Sequence, residues 1–327
     1  MKLRAAAAAA ATGIQVGSAM VATRIVVDQA GPASLALLRY AIGLCCLVPF
    51  VLVAAPRARF ARRDLLPIGL LGIAQFGLLI ALLNYGLRFI PSARAALIFA
   101  TFPLLTMVIA AALGHERLSA GRTVGVLLTV AGVAVALGEK AAGPPAASNE
   151  WTGEVAVFAS ALCGATCSVL YRPYLARYAA LPVSAFAMLA SVGFLALLAV
   201  PEGFFGALPR FSVGGWLAVL FIGAGSGIGY YLWLWALHHA SATEVTAFLA
   251  LSPITAAWLG ALVLGERTSP ASVLGLGLVA LGLWLAHREI IGLDGPLRAS
   301  PKDESSCAGG AGTRSGTPNA DRRTPRR

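Results

Sequence analysis

The sequence predicts an all-α integral membrane protein of about ten transmembrane helices, arranged as two inverted five-helix repeats. Of its 327 residues, 58% are hydrophobic and only 12% are charged, whereas about a quarter of the residues in a soluble domain are charged. Apolar runs of about 18 residues or more recur along the chain, and runs of that length span a bilayer as helices. Because lipid offers no hydrogen bonds, each span must pair its own backbone groups, which a helix does and an open sheet does not.

Polar residues mark the ends of each predicted helix. The ten predicted spans are 5–27, 33–55, 65–87, 94–113, 120–138, 153–172, 181–200, 213–237, 244–264 and 270–287. The connections are short, so we expect consecutive helices to pack as antiparallel neighbours. The spans divide the chain into a first repeat at 1–138, a linker at 139–152, a second repeat at 153–292 and a disordered basic cytoplasmic tail at 293–327.

The two halves share a pattern when the chain is shifted by 150 residues. A proline and a Glu-Arg pair then align: Pro103, Glu116 and Arg117 in the first half, and Pro253, Glu266 and Arg267 in the second. Each half holds five predicted helices, and five is odd, so the second half must enter the membrane from the opposite side. Inverted repeats are common in secondary transporters, which bind a solute between the repeats. The pattern therefore indicates transport, although a duplication that serves structure alone would look the same.

The distribution of charge predicts a multi-pass protein of the cell (plasma) membrane with both termini in the cytoplasm. With the N-terminus inside, eighteen Lys and Arg residues fall on the cytoplasmic side and six on the other, while Arg39 lies within a helix. The net charge of +11 resides in loops and the tail, which argues against a nucleic-acid surface. The five cysteines predict neither a metal site nor a disulfide framework, and no cofactor is expected.

At the repeated motif, the chain resembles the EamA-type transporters of the drug/metabolite transporter superfamily. The family pattern is an apolar helix with Pro, then Leu-Gly-Glu-Arg or Leu-Gly-Glu-Lys, a polar turn, and a helix that opens with spaced Gly. It stands here as PLLTMVIAAALGHERLSAGRTVGVLLTVAGV at 103–133 and as PITAAWLGALVLGERTSPASVLGLGLVALGL at 253–283. The first copy departs from the pattern, because His115 is inserted before the Glu. The resemblance covers residues 5–290 and implies transport, mostly outward, of amino acids, other metabolites or drugs.

Candidate substrate-binding residues are polar and aromatic side chains at depth within the predicted helices. They are Gln15, Arg39, Gln75, Thr166, Tyr230, Tyr231 and Ser252. A cation inside a helix is costly unless it faces a cavity or a partner. Arg39, where family members also carry an arginine, is therefore expected to bind a substrate carboxylate or to snorkel to the headgroups. Buried amides need partners, which a neighbouring helix or a ligand can supply. Tyr230, Tyr231 and the nearby Trp233 belong either to an aromatic pocket or to the interfacial belt.

The repeat-motif residues are interpreted as structural. In this interpretation Glu116 and Glu266 end helices at the interface and pair with Arg117 and Arg267, while the alternative is that both carboxylates act as gates or carry protons. Several glycines invite comparison with a nucleotide-binding loop, which would require a preceding strand. They are Gly13 and Gly17 in the first helix and Gly223, Gly225, Gly227 and Gly229 in the eighth. Close helix packing is the better interpretation of these glycines.

The sequence thus predicts a secondary transporter that exports a small metabolite, amino-acid-like or drug-like, by alternating access between the repeats. It carries no GxxxxGK[ST] loop, so we expect no direct ATP drive within this chain. Expected partners are membrane lipid and a small-molecule substrate, without nucleic acid, and a homodimer is a candidate assembly. One alternative is a scaffold or sensor that does not transport. Another is an intramembrane enzyme, but no enzymatic activity is expected, because catalysis at depth would need clustered His, Asp or Glu.

Overall fold

The computed structural model describes residues 3–54, 60–114, 150–207, 209–266 and 270–288, together with parts of a helix within 123–135. The regular elements among these residues are all helical. Eight described helices are long and apolar enough to cross a membrane. The protein is therefore an all-helical, multi-pass membrane protein.

The helices follow the apolar runs closely. The first half forms α1 (Leu3–Val26), α2 (Pro32–Ala54), α3 (Arg62–Gly72), a π-helical turn (Ile73–Leu78), α4 (Leu79–Phe89), α5 (Ser92–Phe99) and α6 (Phe102–Ala112). The second half forms α7 (Glu150–Leu170), α8 (Arg172–Leu175), α9 (Ala180–Ala199), α10 (Val213–His239), α11 (Ala242–Ala247), a 3-10 turn (Phe248–Ala250), α12 (Leu251–Leu264) and α13 (Pro270–Arg288). One span joins α3, the π turn and α4, and two others, α5 with α6 and α11 with α12, are interrupted near their middle.

The predicted helix limits agree with the described helices to within three residues. Three predicted spans are less regular than expected, because one contains the π turn and two are interrupted. The helix predicted at 120–138 and the linker at 139–152 lie largely outside the described residues, and the tail at 293–327 lies wholly outside them. The last predicted helix, 270–287, is present as α13, in which 273–282 is a shorter apolar stretch.

Contacts between helix ends define two faces of the bundle. On the first face, Ser34 at the start of α2 bonds Glu202, which follows α9. Arg88, at the end of α4, bonds the carbonyl of Ala30 beside it. We call this the Glu202 face. On the opposite face, Asp64 near the start of α3 accepts a hydrogen bond from the hydroxyl of Tyr178, which precedes α9. We call this the Asp64 face.

Corresponding helices of the two halves run in opposite directions. α2 begins on the Glu202 face, whereas α9 ends there. The span of α5 and α6 begins on this face, and the corresponding span of α11 and α12 ends on it, because Ser92 at the start of α5 bonds Glu266 just beyond α12. α1 ends on this face, whereas α7 begins there with Glu150 paired to Arg94. The two halves are therefore inverted copies, as the odd number of helices in each half predicts.

The halves interlock through corresponding pairs of helices. α1 packs along α10, and its counterpart α7 packs along α4. α2 packs along α10, and its counterpart α9 packs along α3. α2 and α9, which are counterparts of each other, also pack together. The apolar core consequently lies between the halves rather than within each of them.

Glycines at the crossings let the two halves approach closely. A side chain on Gly13 of α1 would overlap the carbonyl of Phe248 in the second half. A methyl group on Gly227 of α10 would lie 2.6 Å from the carbonyl oxygen of Gly43 in α2. Small residues are the usual means by which transmembrane helices reach such separations. This geometry agrees with the packing role predicted for these glycines.

Candidate functional site

A cavity lies between the two halves, lined by residues of α1, α2, the π turn, α4, α5, α6, α10 and the 3-10 turn. Its polar lining comes from Thr12, Gln15, Thr23, Arg39, Gln75 and Tyr230, and most of the remaining wall is apolar or aromatic. The space open to a water-sized sphere is about 50 Å³, whereas one water needs roughly 10–15 Å³. The cavity therefore has room for a few waters or one small functional group, and a larger solute requires the helices to separate.

Arg39 supplies the cavity with a positive charge. Its side chain is buried, its Nε donates to Oγ of Ser226 at 2.5 Å, and its guanidinium lies 5.7 Å from the ring centre of Tyr40. No carboxylate of the described residues lies within 4.0 Å of this group. A hydroxyl does not neutralise a buried cation, and an unpaired buried charge is strongly destabilising. The cavity is therefore suited electrostatically to an anion.

Three further polar groups in the cavity wall form no hydrogen bond with the described residues. Nε2 of Gln15, Oε1 of Gln75 and Nε1 of Trp233 are buried and without a partner, and all three residues line the cavity. An unmet buried donor or acceptor costs about 1–3 kcal/mol. The cavity thus offers two free donors and one free acceptor beside the charge of Arg39, which a polar solute can satisfy.

An aromatic cluster adjoins Arg39. The ring centres of Phe76 and Tyr230 are 4.0 Å apart, and Tyr40 lies 5.3 Å from the first and 5.9 Å from the second. The rings meet edge to face, the arrangement that their quadrupoles favour. The Tyr230 hydroxyl also donates to the backbone carbonyl of Gln75 at 3.4 Å. The cluster joins α2 and the π turn of the first half to α10 of the second.

Two membrane spans break beside the cavity. α5 gives way to α6 around Ala100, and the 3-10 turn Phe248–Ala250 separates α11 from α12. These positions correspond under the 150-residue shift. Pro103 and Pro253 lie at the beginnings of α6 and α12, where a residue without an N–H removes no helical hydrogen bond. Phe102 and the 3-10 turn contribute to the cavity wall. Discontinuous helices of this kind surround the binding sites of many transporters.

Four of the seven predicted site residues meet in the cavity, namely Gln15, Arg39, Gln75 and Tyr230. The other three lie elsewhere. Thr166 donates to a carbonyl of its own helix at 2.9 Å. Tyr231 lies outside the cavity wall, because one helical step of about 100° turns it away from the face of Tyr230. Ser252 is fully buried at the crossing of α12 with α1, where its carbonyl meets Gly17.

Glu266 caps a helix of the other half. Its Oε1 accepts from the Ser92 backbone N–H at 3.1 Å, and its Oε2 accepts from the Ser92 hydroxyl at 2.6 Å. A carboxylate at a helix N-terminus satisfies free N–H groups and is favoured by the helix dipole. The predicted interpretation, a corner that pairs with its own Arg, missed this contact between repeats. Glu116, Arg117 and Arg267 lie outside the described residues.

Two sets of contacts that sequence reasoning did not predict join helix ends on the Glu202 face. Glu202 accepts from the backbone N–H of Ala33 at 3.0 Å, and from the N–H and hydroxyl of Ser34 at 2.7 and 2.6 Å. Arg88 donates to the carbonyls of Val27 at 3.2 Å and Ala30 at 2.6 Å. The loop between α1 and α2 is thus held from both halves.

A second carboxylate joins the two halves on the Asp64 face. Asp64 is buried, and its Oδ2 accepts from the Tyr178 hydroxyl at 2.7 Å and from Arg177 at 3.0 Å. Nearby, Nδ1 of His238 lies 2.6 Å from the carbonyl oxygen of Leu175. Asp64 belongs to the first half, whereas Tyr178 and Arg177 belong to the second. Each face therefore carries contacts that join the two halves.

Comparison with known proteins assigns the family. The model of the EamA-like transporter family matches residues 3–138 and 151–288, one match in each half. The chain is 30% identical, over 84% of its length and 90% of the other, to a protein of Streptantibioticus cattleyicolor named "Probable terminal-alkyne amino-acid exporter". It is 26% identical to an uncharacterized transporter of Archaeoglobus fulgidus, over 84% of this chain and 95% of that one.

The fold is shared with a solved crystal structure. That structure superposes with a TM-score of 0.68 at 24% identity, over 88% of this chain and 98% of the other. Likeness at this identity shows the fold and carries no information on substrate. The family model matches each half once, and this agrees with the inverted arrangement of the halves and with the cavity between them. The chain therefore belongs to the EamA-like transporter family.

Proposed function

We propose that this protein is a secondary transporter that exports a small carboxylate-bearing metabolite, amino-acid-like in size, by alternating access between the two inverted repeats. The observation that carries the proposal is Arg39, a buried guanidinium that faces the cavity without a carboxylate partner among the described residues. A substrate carboxylate supplies the missing charge and accepts hydrogen bonds from the guanidinium.

Contacts between the two halves on both faces support alternating access. The contacts of Glu202 on one face and of Asp64 on the other each join the two halves, so a rocking motion between halves breaks one set while it keeps the other. In the orientation predicted from Lys and Arg, the Glu202 face is extracytoplasmic, and export requires that this face open to release the substrate. The relative from Streptantibioticus cattleyicolor, named as an amino-acid exporter, supports both the direction and the solute class.

Export by Arg39 variants tests the proposal. Intracellular and extracellular metabolites are compared in cells that express the wild type, Arg39→Ala, Arg39→Lys or Arg210→Ala at equal membrane abundance. Arg210 is the control, because its side chain is exposed in the loop before α10, away from the cavity wall. A hydrogen bond to a charged group is worth about 1.5–3 kcal/mol, so Arg39→Ala should export roughly 10- to 150-fold less efficiently. Arg39→Lys, which keeps the charge, should retain part of the activity. Wild-type export of the same carboxylate by Arg39→Ala would refute the assigned site.

A further inference from the structure

The π-helical turn Ile73–Leu78 interrupts an otherwise α-helical span next to the cavity. Within it the N–H of Leu79 bonds the carbonyl of Ala74, five residues earlier instead of four. The turn holds one residue more than an α-helical turn, and one residue corresponds to about 100° of helix rotation. π turns occur frequently at functional sites. The turn carries Gln75, whose side chain lines the cavity.

The second half holds this turn by its backbone carbonyls. The thiol of Cys163 in α7 donates to the Ala74 carbonyl at 3.3 Å, and the hydroxyl of Tyr230 in α10 donates to the Gln75 carbonyl at 3.4 Å. Phe76, the next residue of the turn, packs on the Tyr230 ring with a centroid distance of 4.0 Å. The backbone and the Phe76 ring of the turn are therefore contacted by side chains that belong to the other repeat.

The side chain of Gln75 presents a group that a carboxylate cannot satisfy. Its Oε1 is buried and accepts no hydrogen bond from the described residues. The other free groups of the cavity wall, Nε2 of Gln15 and Nε1 of Trp233, are donors, as is Arg39. Donors suit a carboxylate, whereas the Gln75 oxygen needs an N–H or O–H group. The cavity is thus asymmetric in hydrogen-bonding character.

We propose that Gln75 recognises a hydrogen-bond donor on the carboxylate substrate, such as an ammonium group, and that Tyr230 and Cys163 are positioning residues that hold its π turn. The proposal rests on the proposed function, because it adds a second contact to the same cavity. It also links binding to movement. When the halves separate, the anchors leave the turn, and the amide is withdrawn from the substrate.

Binding of matched probes to purified full-length protein in detergent tests the proposal. Leucine and 4-methylpentanoate share a carboxylate and an apolar body, and only leucine has an ammonium group. The wild type should bind leucine more tightly. Gln75→Leu should raise the Kd of leucine roughly tenfold, the size of one lost charge-assisted hydrogen bond, and change that of 4-methylpentanoate less than about twofold. Equal effects on both probes would overturn the role of Gln75.

Variants of the two positioning residues, Tyr230 and Cys163, should change the binding preference between the two probes. Tyr230→Phe and Cys163→Ala should each lower the preference for leucine over 4-methylpentanoate by about threefold, which is part of the effect of Gln75→Leu. Cys163→Ser, which keeps a donor, should restore it. A Cys163→Ser variant that behaves like Cys163→Ala, or anchor variants that weaken both probes equally, would refute positioning.

A stability measurement separates this inference from the proposed function. If neither probe binds the wild type, the proposed carboxylate site fails, and the thermal stability of ligand-free variants still decides the positioning claim. Two anchors of one turn should not act independently. The double variant Tyr230→Phe, Cys163→Ala should therefore lose less Tm than the sum of the two single losses. Additive losses would show that the two side chains do not hold a common turn.

Discussion

Replacing Glu202 with Ala removes three hydrogen bonds from the start of α2. The carboxylate accepts from the N–H of Ala33 and from the N–H and hydroxyl of Ser34, at 2.6–3.0 Å. Loss of a helix cap costs about 0.5–2 kcal/mol, and loss of the charge at a helix N-terminus costs about 0.3–1 kcal/mol more. Because Glu202 is exposed, we expect the lower part of this range, about 1–2 kcal/mol. If these bonds form only while the Glu202 face is closed, their loss raises the equilibrium constant for opening of that face roughly 5- to 30-fold.

The rate at which a buried cysteine is labelled measures this opening. Thr23→Cys places a thiol at the end of the cavity nearest the Glu202 face, in a background whose native cysteines are replaced by Ser. A membrane-impermeant maleimide added on that side should label it roughly 5- to 30-fold faster in Glu202→Ala. Gly31→Ala should act similarly, since its methyl group would overlap the Glu202 carboxylate. Asp28→Ala is the control, because its carboxylate is 72% exposed and its pairing with Arg24 is worth about 0.3–0.5 kcal/mol. Unchanged labelling in both Glu202→Ala and Gly31→Ala would refute the assignment of this closure.

Two further predictions concern the opposite face and the crossing between the halves. Asp64→Asn weakens the bonds from Tyr178 and Arg177, so a Thr12→Cys thiol should be labelled at least about fivefold faster from the Asp64 face. Faster labelling of Thr23→Cys from the Glu202 face in the same variant would contradict separate closures. Gly227→Ala should destabilise the protein by about 1–3 kcal/mol through overpacking against α2. The matched change Gly193→Ala meets no atom within 4 Å, and a Tm loss equal to that of Gly227→Ala would refute the packing argument.

The helix limits could be predicted because the bilayer imposes a length and excludes charge. The local departures from regular helix could not. The π turn Ile73–Leu78 is stabilised by Cys163 and Tyr230, which are distant in sequence, and its own residues have no distinctive composition. Pro103 and Pro253 indicate the helix breaks only in part, because a proline is also tolerated in the first turn of a helix that follows an ordinary loop.

The candidate site could be predicted in part from single polar residues in apolar runs. Arg39 and Gln75 could be predicted because a charge or an amide within the bilayer is energetically costly and is usually retained for a function. Tyr231 lies outside the cavity wall, and the sequence could not separate it from Tyr230, since an all-round apolar helix has no polar face that indicates its orientation. The roles of Glu202 and Asp64 were missed, because their partners lie more than 100 residues away in the other repeat.

The caps on the Glu202 face have a consequence for biogenesis. The start of α2 is capped by Glu202, which follows Ser34 by 168 residues in the sequence. The start of α5 is capped by Glu266, which follows Ser92 by 174 residues. At about 5–20 residues per second of synthesis, each helix start remains uncapped for roughly 10–30 s after it emerges. The first repeat is thus inserted into the membrane before the residues that cap α2 and α5 have been synthesised. A chain truncated before residue 202 would leave the N–H groups at the start of α2 without this cap, and it would be exposed to membrane quality control with that helix start uncapped.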